Sequence, residues 1–512
     1  SAASNVYKRQ LITSVNEAAN LKAILSSNPN EAENEFLEKF KGSIFIKNAL
    51  KLNEIINKKG SLPLKIGVLL PLKGAQSEAG KSILMGAEFA IREFNRWSPE
   101  KIELAIKNVD NNSLKFIETV REMLKNPGII GIYGPLDNYS SILAGVTVER
   151  EGIPMVLPLA NMSNLFTLGD YVYQSHVDLA HSAETLALYA IDNLGLKTFA
   201  ILAPANSYGI ELSDHFASVI DKLGGKILFE DWYFEGTQDF KRHFQKIRTI
   251  GLDIMMNDTI FVYADSLFKN DSAYISLMNK ADSIYFEERN LLLERDSSIT
   301  LYYDTFRLNQ IKDSLKNVYI DSLSLSQLDS IKKFIIDQKV LQMQEQGILE
   351  IDSMDIPITS IDAIFLPAEK EDLMYLPGQF AYYNIKSQIL GGNNWFDEEI
   401  LGRNSSYLNG IVFFADSYYN PSNERYIQFR DNFRKEFGKN PNRLKIIGYD
   451  SMNLILEAIK KGARTRKELK EKLSEIEILK GIGGDIIFQK GERVNSYTNI
   501  LMYKNGSIRK LN

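Results

Sequence analysis

The chain has 512 residues, a net charge of −5 and no cysteine, with 44% hydrophobic and 24% charged residues. That length asks for more than one hydrophobic core, so two to four domains are expected. The acidic balance offers no general attraction to nucleic acid or anionic membranes, the lack of thiols removes disulfides and thiolate metal sites, and no apolar run reaches the roughly 18 residues that span a bilayer.

Residues 1–61 read as an N-terminal helical segment. Pro29 is tolerated in a first helical turn, Ala32, Phe36, Phe40 and Leu50 supply apolar faces, and Gly60 with Pro63 closes the segment. Such helices serve either as a clamp on the next domain or as the end of a helical-repeat domain.

The rest is organised around residues 63–97. The apolar run 66–70 suits a strand buried on both faces, Pro71 ends it, and Ile83, Ala87, Ala90, Ile91 and Phe94 recur at helical spacing. Strand, small-residue loop and helix open a βαβ unit, whose loop at the strand's carboxyl end is where ligands collect. Strands at 103–108, 128–134 and 153–157 alternate with helices at 113–124 and 140–149. A second series follows: helix 182–194, strand 198–202, helix 210–222 and strand 227–233. This alternation predicts parallel sheets with right-handed crossovers, an α/β fold.

From 251 to 356 the rhythm breaks. No glycine stands between Leu252 and Gln346, no proline precedes Pro357, and the period is mostly helical. The stretch reads as a helical insertion whose Asp-Ser pairs start helices or face solvent. The series then resumes with strand 361–366, helix 371–384, strand 388–390, strand 410–415 and helix 422–437. Gly448-Tyr449-Asp450 precede a helix at 451–461, with another at 465–473. Residues 484–492 and 497–504 read as two antiparallel strands with a Lys-Asn-Gly turn.

Enzyme motifs are missing. The four histidines show no His-Glu-x-x-His spacing, and neither Gly-x-Ser-x-Gly nor a phosphate-binding Gly-x-x-x-x-Gly-Lys-Ser/Thr loop occurs. No cofactor, metal or catalytic residue is expected.

Residues 63–512, apart from the insertion, resemble the periplasmic binding protein type 1 family, and the branched-chain amino-acid (Leu/Ile/Val) binding proteins in particular. The matching stretches are Gly67-Val-Leu-Leu-Pro-Leu with Gly80, Gly86-Ala87 and Asn95; Gly134-Pro135; Glu151-Gly-Ile-Pro154; Tyr208-Gly209; Asp362-Ala-Ile-Phe-Leu; and Gly448-Tyr-Asp450. The resemblance implies two doubly wound parallel-sheet domains closing as a clamshell: 62–177 with 416–483, and 178–250 with 357–415 and 484–512, the insertion lying in the second. Asp362 to Pro367, Pro377 to Asn384 and Leu390 to Trp395 are also similar to the lipoprotein activators of penicillin-binding proteins.

Carried over to this sequence, the loops after the third and fourth strands hold a ligand carboxylate, which implicates Asn138, Tyr139, Leu159, Ala160 and Asn161. Tyr208 covers the ligand. Gln76, in the first loop, faces the cleft or caps the following helix. The family's acidic position for an ammonium group falls at neutral Asn393, and Glu369 of the neighbouring loop is the substitute. Trp395 stacks on a ligand or is a buried structural indole. The resemblance implies a non-catalytic extracytoplasmic protein that closes on a small polar, amino-acid-like or other carboxylate ligand and serves a transporter permease. The rival is an envelope lipoprotein scaffold acting on a peptidoglycan synthase. It would be periplasmic or otherwise extracytoplasmic, and a lipoprotein's acylated cysteine would lie just upstream of Ser1.

Overall fold

The computed structural model describes residues 64–109, 112–126, 128–295, 304–345 and 353–512. The expected N-terminal helical segment, 1–61, lies outside the described residues. In chain order the strands and longer helices are β1 (Leu64–Leu70), α1 (Ser77–Trp97), β2 (Ile102–Asn108), α2 (Ser113–Leu124), β3 (Ile129–Tyr133), α3 (Asn138–Glu151), β4 (Met155–Leu157) and β5 (Val172–Val177). Next come α4 (Leu179–Asp192), β6 (Thr198–Pro204), α5 (Ser207–Lys222), β7 (Lys226–Tyr233), α6 (Lys241–Val262), α7 (Ser272–Arg295), α8 (Asp304–Ser322) and α9 (Leu325–Glu345). They are followed by β8 (Ala363–Leu366), α10 (Leu376–Tyr382), β9 (Gln388–Gly391), β10 (Val412–Ala415), α11 (Glu424–Phe437), α12 (Arg443–Lys460) and α13 (Arg466–Ser474). Five short strands end the chain: β11 (Ile478–Leu479), β12 (Ile486–Ile487), β13 (Val494–Asn495), β14 (Asn499–Lys504) and β15 (Ser507–Lys510).

The chain divides into two compact units, one reaching Ser182 and resuming over Asp416–Asn499, the other comprising Ala183–Ala415 and Ile500–Asn512. The first holds a sheet of order β13-β5-β4-β3-β1-β2 with parallel pairings throughout. The second holds β15-β14-β10-β9-β8-β6-β7, parallel from β10 to β7, with the hairpin β14–β15 at its other edge. Both are doubly wound: the strand order reverses between β1 and β3 in one, and between β6 and β8 in the other. Ligands of such sheets sit outside the carboxyl ends of the strands at that reversal.

The first unit's core has a backbone-level fit. β1 is buried from Ile66 to Leu70, and Ile66, Val68 and Leu70 pack with Ile83, Ala87 and Ala90 of α1 and Met452, Ile455 and Ile459 of α12. The two helices touch closely where they cross. A Cβ on Gly86 would stand 2.0 Å from the Lys445 carbonyl oxygen, and one on Gly448 2.2 Å from that of Ile83. Gly448-Tyr449-Asp450, expected ahead of a helix, therefore lies inside one that starts at Arg443, capped by the Asn442 side chain.

Two further expectations are corrected. Asn505 and Gly506, both at positive φ, turn β14 into β15, so the hairpin lies wholly within residues 499–510. Residues 484–499, expected in the second domain, group with the first unit, because Ile486–Ile487 pairs with β11 and Val494–Asn495 adds to β5. Strand β5 itself carries little hydrophobic signal.

The insertion is helical among the described residues. α7, α8 and α9 enclose a small core of Met256, Phe268, Tyr274, Tyr319 and Ile335. Its Asp-Ser pairs do more than face solvent. Asp265 accepts from the Tyr274 hydroxyl at 2.5 Å and pairs with Lys316 at 2.7 Å, and Asp271 caps α7 through the Ala273 and Tyr274 N–H groups.

Candidate functional site

In the first unit the expected carboxylate loops meet each other. β3 ends at a cis Gly134–Pro135 bond, and Asp137 then caps α3 by accepting from the Ser140 N–H at 2.8 Å. Asn138 spends its amide on the neighbouring loop: its Oδ1 accepts the N–H groups of Asn161 at 3.0 Å and Met162 at 3.1 Å, and its Nδ2 donates to Asn161 Oδ1 at 3.2 Å. Asn138 thus fixes the loop after β4. Asn161 is half-buried, and among the described residues its Nδ2 has no protein acceptor, leaving two donors for an anion.

The remaining first-unit candidates differ in kind. The Ala160 side chain is buried in the core beneath β4, so only its backbone is available to a ligand. Leu159 is half-buried and packs against the α1–α12 core. Tyr139 is 62% exposed with its hydroxyl 3.3 Å from Ser113 Oγ. Gln76 is exposed at the start of α1 and makes no capping hydrogen bond.

The first unit also carries a buried ion cluster that sequence reasoning missed. Asp416, just after β10, accepts from His176 Nε2 at 2.9 Å and from Arg443 Nε at 2.7 Å. Burial opposes its charge, but Arg443 and His176 outweigh burial and hold the carboxyl far below the usual range. The other three histidines also face carboxylates: His181 with Asp178, His215 with Glu184, and His243 with Asp231. Among the described residues no group of His, Asp and Glu has the makings of a metal site.

In the second unit three predicted residues come together on the loops after β6, β8 and β9. Tyr208 donates from its hydroxyl to Asn393 Oδ1 at 2.8 Å. Glu369 accepts from Asn206 Nδ2 and from Asn394 Nδ2, each at 3.1 Å. Asn206 also caps α5 through the Gly209 N–H at 2.9 Å, so one side chain fixes both a helix start and a carboxylate. Close behind lies Asp372, almost fully buried, accepting from the Tyr233 hydroxyl at 2.8 Å. Burial raises the Glu369 carboxyl above its ordinary value, the two asparagines pull it back, and Asp372 pushes it further up. Burial likewise raises Asp372. Among the described residues neither carboxylate has an ion-pair partner, and adjacent Lys370 is turned to Asp397 at 2.8 Å.

Trp395 is structural. It is fully buried, its Nε1–H donates to the Leu366 carbonyl at 2.8 Å, and its ring fills the space a side chain at Gly391 would need. Asn206 and Asn394 were missed individually, although both stand in the strand-end loops that the alternating pattern marks. What the sequence lacked was the pairing of Asn206 with a residue 163 positions away.

Three comparisons bear on this arrangement. A family model described as periplasmic binding protein matches residues 63–263 and 360–507, and α7 to α9 fall in the gap between the two stretches. The Leu/Ile/Val-binding protein homolog 3 of Brucella melitensis is 24% identical over 196 residues, 38% of this chain and 53% of that protein. The chain thus spans about half the length of the curated relatives it matches. Among solved structures, an ABC transporter substrate-binding protein from Sphaerobacter thermophilus superimposes with a TM-score of 0.58 at 16% identity, covering 88% of this chain and 96% of its own. One from Desulfitobacterium hafniense in complex with Leu gives 0.53 at 16%, covering 88% and 100%. With the family model covering well over half of its length, the chain belongs to the periplasmic binding protein family.

Proposed function

We propose that this protein is an extracytoplasmic solute-binding protein for a small α-amino acid, handing it to the permease of an ABC transporter. The observation that carries the reading is the acidic pair Glu369 and Asp372 at the carboxyl edge of the second sheet, half-buried or buried and without a cation among the described residues. Two such carboxyls are costly to ionise unless a positive group joins them, and a ligand ammonium is that group. Glu369, held by Asn206 and Asn394, receives it, with Tyr208 alongside. Within the first unit, Asn161 and the backbone about Ala160 form a set of neutral donors suited to a carboxylate. The relative named as a Leu/Ile/Val-binding homologue and the neighbour in complex with Leu support an amino acid as ligand.

The test is a thermal-shift panel of Leu, Ile, Val and polar amino acids against the corresponding 2-keto acids and benzoate. A ligand at about 100 times its dissociation constant stabilises the native state by about 2.7 kcal/mol, a shift of several degrees. Shifts with amino acids and none with their keto acids support the reading. Shifts with the keto acids or benzoate alone, or a flat panel, sink it.

A further inference from the structure

The first unit also carries a groove away from the strand-end loops. Past the Gly86–Gly448 crossing, the end of α1 and the outer face of α12 border a groove of about 680 Å³, lined by Glu93, Arg96, Trp97, Tyr449, Asn453 and Arg464 among others. It continues along α12 into a neighbouring depression of about 380 Å³ that shares Tyr449, Asn453 and Lys460. α1 is 21 residues long, about 30 Å, and the groove sits at its Trp97 end while Gln76 stands at the other. The floor from Tyr449 to Lys460 covers about 16 Å of helix.

Two features say what the groove takes. Trp97 is 89% exposed, a large flat indole bordering the groove. Such a residue, apolar in body and polar at its edge, is favoured where an amphipathic partner lands. The charged groups around it are already matched to one another: Arg96 with Glu436 at 2.7 Å, Arg464 with Glu100, and Glu93 accepting from the Tyr449 hydroxyl at 2.8 Å. Asn453 is held by its own Nδ2 donating to the Tyr449 carbonyl at 2.9 Å, and among the described residues its Oδ1 accepts no protein hydrogen bond. The groove therefore offers an aromatic platform ringed by fixed donors and acceptors with little net charge to neutralise. Arginine and carboxylate keep unused N–H groups and lone pairs when paired.

We propose that this groove binds an uncharged oligosaccharide, one sugar ring stacked on Trp97 and its hydroxyls hydrogen-bonded to Glu93, Arg96 and Asn453. A polyhydroxylated ring has the apolar face and the dense, neutral donor and acceptor edge that the groove complements. A charged peptide would have to break the existing ion pairs.

Trp97 also reports on the site. Trp395 is fully buried and Trp232 is half-buried, so iodide quenching of the intrinsic fluorescence samples Trp97 first. The experiment screens the full chain on an array of neutral and charged glycans. It then titrates the best neutral oligosaccharide, or chitohexaose, cellohexaose and maltohexaose if none stands out. The expected result is saturable protection of Trp97 from iodide at millimolar ligand or below, little changed between 50 and 500 mM salt. Binding is lost in Trp97→Ala, read by isothermal titration calorimetry, and affinity falls at least tenfold in Asn453→Ala, while Tyr208→Phe leaves it unaltered. Trp97 is exposed enough that its alanine variant keeps the parent melting temperature. No saturable response to any neutral glycan, binding that persists in Trp97→Ala, or a preference for acidic ligands that collapses in high salt overturns the proposal.

Discussion

Replacing Asp416 by asparagine probes the buried ion cluster of the first unit. The Asp416 and His176 side chains are 4% and 5% exposed and that of Arg443 35%. Asparagine keeps one acceptor oxygen but turns an N–H₂ toward donors that expect a carboxylate. It leaves Arg443 without its counter-charge and His176 without its carboxylate partner. Removing one member of a buried pair costs about 3–5 kcal/mol, and the partial exposure of Arg443 places this case near about 3 kcal/mol. For a unit with about 200 described residues, 1 kcal/mol moves the melting temperature by about 2–4 °C, so Asp416→Asn should melt roughly 6–12 °C lower at pH 7. The sign with pH follows from the direction of the shift. Asp416 has a depressed carboxyl in the folded state, so its contribution is present above the unfolded value of about 4 and is lost as pH falls below it. Calorimetric scans at pH 7 and pH 3 should therefore show a wide gap between parent and variant that narrows in acid. A gap under 2 °C at pH 7, or one unchanged at pH 3, refutes the argument.

Other outcomes follow from single contacts. Gly448→Ala places a methyl against the Ile83 carbonyl oxygen; because backbone rather than a flexible tip must move, the cost should reach about 1–3 kcal/mol in denaturant titration, whereas Gly462→Ala, with nothing within 4 Å but φ at +102°, tests backbone strain alone. Asp450 is buried, accepts the N–H groups of Ile482 and Gly483 and is pushed up to about 7. A raised carboxyl stabilises the fold below its unfolded value of about 4 and loses that stabilisation as pH rises toward 7, so Asp450→Asn should flatten the melting temperature between pH 4 and 7. Trp395→Phe leaves the Leu366 carbonyl without its buried donor and should destabilise by about 1–3 kcal/mol, read by the same titration.

The strands that the sequence revealed are those with continuous apolar runs: residues 66–70, 198–202 and 361–366 each fall within or across an observed strand, because a parallel sheet buried on both faces leaves no polar alternation. β5 escaped for the opposite reason. Gln174, Ser175 and His176 are buried in it and are made tolerable by hydrogen bonds to Met162, Leu157 and Asp416, partners that no local window contains. The insertion was legible from its lack of glycine and proline. Gly448 misled because glycine in a helical pattern reads as an interruption, while here it lets two helices touch. At the candidate site, position in the alternating pattern marked the strand-end loops, and Tyr208, Glu369 and Asn393 gather on one sheet edge. Their roles were not legible. Ala160 turns inward to the core and Asn138 is consumed by the next loop, outcomes decided by which side chains the folded loops bring within 3 Å.

The amino-acid reading turns on Glu369, and isothermal titration of Glu369→Gln with the amino acid giving the largest thermal shift tests it most directly. Glutamine keeps the shape and one acceptor but removes the charge facing the ammonium, so affinity should fall at least 100-fold, a charged hydrogen bond being worth about 1.5–3 kcal/mol and more where a desolvated charge loses its partner. The melting temperature of the free protein should stay within 2 °C of the parent or rise, since Glu369 is raised by burial and gains nothing from its charge before ligand arrives. Affinity within threefold of the parent contradicts the account and removes Glu369 from the ligand.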